Sequence, residues 1–129
     1  MDLSEVKWTM MGRDYPRVDC YGLLRCLNED KNLPRHDDLG NIEVGHDRTR
    51  HIEELERVIE TYLEVCPPEQ SDVIITLYNR GFYFQRPNHI LIKYNDMFID
   101  IQPNTLRLLD LNSIINYYKF LKFYKWRVS

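Results

Sequence analysis

Several stretches of the chain alternate apolar and polar positions with a period that predicts regular structure. Between residues 48 and 65, Ile52, Leu55, Val58, Ile59 and Tyr62 fall on one stripe with charged residues opposite, which predicts an amphipathic helix. Cys66-Pro67-Pro68 stops it. Val73 to Tyr78 is β-branched and apolar, His89 to Tyr94 alternates loosely, and Met97 to Ile101 makes a third short run. All three read as strands. Asn95-Asp96 between the last two predicts a tight hairpin turn, because Asn and Asp tolerate the required backbone angles. Leu109–Tyr118 predicts a short helix, and Phe120 to Val128 a last strand.

Closer to the N-terminus the pattern is helical from Asp19, with Leu23, Leu24 and Leu27 spaced for one buried face and Cys20 one turn earlier. Asp19 suits the N-cap, and Asn32 and Pro34 end the helix. Residues 33–46 read as loop. Residues 1–18 carry no sustained period and read as an irregular lead-in crossing the surface of the core. Helices first and antiparallel strands after is the α+β pattern. No repeat or linker divides it, so residues 1–129 are expected to form a single domain of N-terminal helices packed on a small antiparallel sheet.

Composition narrows the function classes. A chain of 129 residues, 43% hydrophobic and 29% charged, has the size and make-up of one globular core. A net charge of −3 argues against a nucleic-acid partner. No apolar run reaches the ~20 residues needed to cross a bilayer, so no membrane insertion is expected. The first residues, Met1-Asp2-Leu3-Ser4-Glu5-Val6-Lys7, lack the basic and apolar regions of a signal peptide, which predicts synthesis in a cytoplasm. The three cysteines are then expected to be reduced, with Cys26 and Cys66 as small buried hydrophobes. A zinc site is a weak alternative: Cys20 and Cys26 point away from each other on a helix, no C-x-x-C pair exists, and His36, His46 and His51 lie in polar sequence. No metal and no other cofactor is expected. The basic aromatic run from Tyr117 to Arg127 could stack on bases or sugars, but its simpler reading is a core strand with snorkelling lysines.

One constellation carries chemistry. A thiol acts through its thiolate, which the first turn of a helix favours by its unpaired N–H groups and positive dipole end. Those N–H groups can also hold an oxyanion. A histidine must serve as base and acid, with a third polar group to orient it. Cys20 opens a helix, His89 opens a strand, and Asp100 ends the strand across the Asn95-Asp96 turn. On residue types alone, each has a plainer reading: a buried filler thiol, a solvated or core histidine, and a solvated or capping aspartate.

Order and local motif add to this. Asp19-Cys20-Tyr21-Gly22-Leu23-Leu24-Arg25 resembles the nucleophile motif of the NlpC-type cell-wall cysteine peptidases, and Leu33-Pro34 is similar to the Leu-Pro closing that helix in phage members. Ser71-Asp72-Val73-Ile74-Ile75 resembles their Gly-Asp-Val strand, with Ser in place of Gly. The segment from Asn88 to Asp100 resembles their His-Val-Gly-Ile-Tyr hairpin, and the last strand resembles that of the short phage tail-assembly members. The resemblance spans roughly residues 8–102. It implies a papain-like fold and hydrolysis of amide bonds in peptidoglycan stem peptides without a metal. By position, Cys20 would be the nucleophile, His89 the base and Asp100 the orienting residue, where relatives usually carry His, Asn or Gln. Gln102 takes that place if the register shifts by two. Asp19, Tyr15 and Trp8 would lie on the oxyanion or substrate side, where relatives carry a Tyr and a Gly-Gly pair. The implied setting is a virion tail acting on the host wall beside other phage tail-tip proteins. The alternative is a structural tail-tip part with little or no activity.

Overall fold

The structure is a computed structural model that describes residues 3–8, 13–14, 17–18, 23, 48–102 and 105–127. Its centre is a six-stranded sheet in which every neighbouring pair is antiparallel. The described elements are β1 (Lys7–Trp8), β2 (Arg13–Asp14), β3 (Arg17–Val18), α1 (Arg48–Tyr62), β4 (Leu63–Val65), β5 (Val73–Leu77), β6 (Pro87–Tyr94), β7 (Met97–Gln102), β8 (Thr105–Leu109), α2 (Leu111–Tyr117) and β9 (Leu121–Trp126). Strand order in the large sheet is β4-β9-β5-β6-β7-β8. The architecture is thus mixed α+β, as the order of patterns predicts.

The helical stripe behaves as expected: Ile52, Leu55 and Val58 are buried, with Ile59 and Tyr62 packed beside them. Leu55 and Val58 share a cluster with Val73, Ile75, Ile90, Ile92, Ile99 and Ile101, so α1 covers one face of the sheet. Alternate residues of the same strands point the other way. Ile74, Leu91 and Phe98 pack with Ile114 of α2, so the second helix covers the opposite face. Asp110 caps α2, its carboxylate accepting from the Ser113 N–H at 2.7 Å.

Three expectations need correction. The helix expected to reach residue 65 ends at Tyr62, and Leu63-Glu64-Val65 pairs with Trp126-Lys125-Tyr124 as an edge strand. The apolar spacing alone cannot separate a last helical turn from a short strand, and the pairing with β9 decides it. Within residues 1–18, expected as an irregular lead-in, the described residues form regular structure: Leu3–Glu5 is a 3-10 turn, and β1, β2 and β3 make a small sheet of their own. Leu3, Val6 and Trp8 pack on the α1-side core, and Val18 is fully buried there. Third, β8 falls in a stretch for which no element is expected. The last strand, Leu121–Trp126, forms as expected with Tyr124 buried, but in the interior of the sheet between β4 and β5.

Leu23 has helical backbone and is fully buried in the α1-side cluster, as expected of the first helix's apolar face. The rest of that helix and the loop at 33–46 lie outside the described residues, as do Tyr15, Asp19, Cys20 and Cys26. Cys66 is buried and free of a disulfide.

Candidate active site

The hairpin turn places the chemistry. Tyr94 pairs with Met97 across Asn95-Asp96, and Asn95 adopts the left-handed φ of 55° that Asn tolerates better than most residues. This register brings β6 and β7 together so that His89 and Asp100 share the α2 face. His89 Nε2 lies 2.7 Å from Asp100 Oδ1. The side chain of Asp100 is 0% exposed and that of His89 16%.

A second local feature acts on His89. Thr76 of β5 pairs with His89, but the next residue, Leu77, pairs with Pro87, leaving Asn88 as the extra residue of a bulge. Bulges bend a strand and re-aim its side chains, and they recur beside functional sites. Here the bulge immediately precedes the histidine.

Asp100 holds more than one partner. Arg107 of β8, its direct neighbour in the ladder, donates from Nη2 to Oδ2 at 2.5 Å. The Tyr118 hydroxyl donates to Oδ2 at 3.2 Å. Gln102 Nε2 reaches both oxygens, at 3.2 Å and 3.4 Å. Burial alone would raise the Asp100 pKa, but hydrogen bonds from His89 and Arg107 outweigh it and hold the carboxyl well below the usual range. An ionised carboxylate only accepts, so His89 Nε2 carries the hydrogen of this bond. Both carboxylate oxygens are engaged, so neither the carboxylate nor the ring can turn without breaking contacts. Arg107 in turn stacks over the Tyr117 ring at 5.5 Å. Tyr118 is pushed up to about 12 by its own burial and by the Asp100 charge, which keeps its hydroxyl protonated as a donor.

His89 opens onto a cleft of about 260 Å³ at the strand ends, lined also by Trp8, Thr76, Asn88, Ile101, Gln102 and Tyr118. Two residues expected on sequence grounds, Trp8 and Gln102, therefore share a cleft with His89. The partner at His89 Nε2 is Asp100, while Gln102 serves the same carboxylate as a donor. Leu23, three residues past Cys20, belongs to the α1-side cluster, whereas His89 and Asp100 lie on the α2 side. The strand-end cleft joins the two sides, with Trp8 and Ile101 from one and His89 and Tyr118 from the other.

Burial and the nearby Asp72 push the Cys66 thiol up, which disfavours its thiolate. Arg107, Tyr118 and Asn88 are site residues that the sequence reading misses. The signal for Arg107 is there: Pro103-Asn104 are turn residues between two apolar runs, and a hairpin over them places Arg107 opposite Asp100. Nothing local marks Tyr118.

No protein-family model, curated protein or solved structure matches this chain.

Proposed function

We propose that the chain is a papain-like cysteine peptidase of the NlpC type, borne on a phage tail and hydrolysing amide bonds of peptidoglycan stem peptides. The observation that carries this reading is the short hydrogen bond from His89 to the buried Asp100 at the mouth of a cleft. It supplies the oriented base that such chemistry needs. Asp100 sets the tautomer, so Nδ1 takes the proton of the Cys20 thiol. The thiolate adds to the carbonyl carbon of the scissile amide. Collapse of the tetrahedral adduct breaks the C–N bond as the imidazolium returns its proton to the departing amine, leaving a thioester. Water, deprotonated by the same nitrogen, then releases the acid and the thiol.

The test is hydrolysis of purified stem peptide, followed by the appearance of a new primary amine. Wild type is expected to turn over, and both Cys20→Ala and alkylated wild type to fall to the buffer background. A wild type as inert as Cys20→Ala would sink the peptidase reading. A structural role in the tail tip is the second reading, favoured by one observation: Asp100 ties β6, β7, β8 and the end of α2 together whether or not the histidine acts. On that reading the inert protein would still be required for virions to assemble.

A further inference from the structure

The loop from Tyr78 to Arg86 joins β5 to β6 at the strand ends that carry His89. Four of its nine residues are aromatic, yet it does not fold all of them into the core. Phe82 is 89% exposed and Phe84 48%. Tyr117, 68% exposed, borders a groove that Asn79 of the loop also lines. Apolar rings gathered on one end of a molecule mark an interaction surface.

The exposure is built in. The Tyr78 N–H donates to the Arg86 carbonyl at 3.0 Å and the Gln85 N–H to the Tyr78 carbonyl at 2.8 Å, which closes the neck of the loop. Gly81 takes the left-handed φ of 83° that the tip requires. Tyr83 turns inward, its ring 5.7 Å from that of Tyr78 and its hydroxyl 2.7 Å from Thr49 Oγ1 of α1. Arg86 grips both carboxylate oxygens of Glu56 on the same helix, at 2.6 Å and 3.1 Å. Phe84 leans on Phe120, with 6.1 Å between ring centroids. A frame that fixes Tyr83 inward thus holds Phe82 outward, edge-on to Tyr83 at 5.2 Å.

Charge narrows what this tip meets. None of the 20 acidic residues lies between Val73 and Asn95 or after Asp110. Arg80, two residues before Phe82, and Lys119, next to Phe120, join no ion pair among the described residues. The acids that face the loop, Glu53 and Glu56, stand at its root beside Arg86. A second copy packed tip to tip would set cations against cations. A folded partner would need a preformed apolar pocket with an acidic rim. A bilayer surface yields to a protruding ring, accepts aromatics at headgroup depth and draws the cations when its lipids are anionic.

We propose that the Tyr78–Arg86 loop is a peripheral docking tip for an anionic lipid bilayer, with Phe82 and Phe84 entering the headgroup region and Arg80 and Lys119 against the lipid phosphates. The contact is superficial, since no helix among the described residues is long and apolar enough to cross a membrane. It goes beyond the peptidase reading and does not depend on it. Docking there would hold the His89 cleft, which shares Thr76, Asn88 and Tyr118 with the groove beside the loop, close to the membrane.

The test is sedimentation of the full chain with vesicles of phosphatidylcholine alone and of equal parts phosphatidylcholine and phosphatidylglycerol. Wild type is expected to bind the mixed vesicles about tenfold or more tightly than the neutral ones. Phe82→Ser should weaken that binding about tenfold with an unchanged thermal melt, because the ring lies outside the core. Phe82→Trp should keep or strengthen it. Arg80→Gln and Lys119→Gln should each cost about fivefold on mixed vesicles and nothing on neutral ones. Failure of wild type to sediment with mixed vesicles would overturn the proposal, as would binding that survives Phe82→Ser and both Gln variants. Self-association of wild type without lipid, lost in Phe82→Ser, would give the tip to a second copy instead.

Discussion

The two faces of the sheet are built from the same strands, yet they solve burial in opposite ways. The α1 face closes over Val73, Ile75, Ile90, Ile92, Ile99 and Ile101, a cluster of hydrophobic side chains. The α2 face has the same character in its centre, with Ile74, Leu91, Phe98 and Ile114, but turns polar toward the strand ends. There Asp100 is buried with four partners drawn from three strands and the residue after α2. The apolar face can lose a methyl group and keep its fold. The polar end cannot lose Asp100 without stranding its donors, Arg107 above all, because a buried charge left unpaired is costly. That makes it a precise but costly place, which is where a positioned base would be kept.

The comparison breaks most sharply at Asp100. Asp100→Ala should cost about 3–5 kcal/mol in urea unfolding, since it leaves Arg107, Tyr118 and His89 without their acceptor. Ile99→Ala, its sequence neighbour on the other face, should cost about 2–5 kcal/mol, through lost burial and a cavity. The two differ in rescue. Asp100→Leu with Arg107→Leu should regain most of the stability lost in Asp100→Ala, because well-packed apolar residues often replace a buried ion pair at little cost. No catalytic competence should return with it. Failure to regain stability would mean that the polar end has no room for apolar packing.

A smaller effect separates the faces by pH. The Asp100 carboxyl is held below its unfolded value near 3.9, so its contribution is complete above about pH 4 and is lost as the pH falls through the lower folded value. Acid unfolding of wild type should therefore be steeper than that of Asp100→Asn, measured by circular dichroism between pH 5 and pH 2. At the other end, Tyr118 titrates higher folded than unfolded. The folded state keeps the proton that the unfolded state gives up, and stability falls as the pH rises from about 10 to 12. Tyr118→Phe should flatten that decline and cost about 0.5–1.5 kcal/mol at neutral pH, the smallest change of the set. An unchanged alkaline slope would show that the hydroxyl is not tied to Asp100.

Much of this was legible in the chain because the signals are local. The stripe from Ile52 to Tyr62 names a helix and its buried face. The β-branched run at Val73 and the turn at Asn95-Asp96 name three strands and one pairing, and that pairing brings His89 near both Asp100 and Gln102 without choosing between them. Leu63-Glu64-Val65 misled because three residues extend a helical stripe as readily as they form an edge strand. Thr105–Leu109 is missed because its own alternation is weak and its one sequence signal is the Pro103-Asn104 pair before it; the pairing with β7 makes it a strand.

The sequence by itself thus determined the α+β class, the main helix, the hairpin and the approach of its histidine to the polar end of the next strand, since each follows from residues close in the chain. Only the tertiary structure decided that β9 enters the sheet between β4 and β5, and that two helices cover opposite faces. It also decided that Arg107 and Tyr118 close around Asp100, and that Trp8 lines the cleft His89 opens onto. These depend on contacts between residues far apart in sequence, whose partners are chosen by the burial of whole faces rather than by any local period.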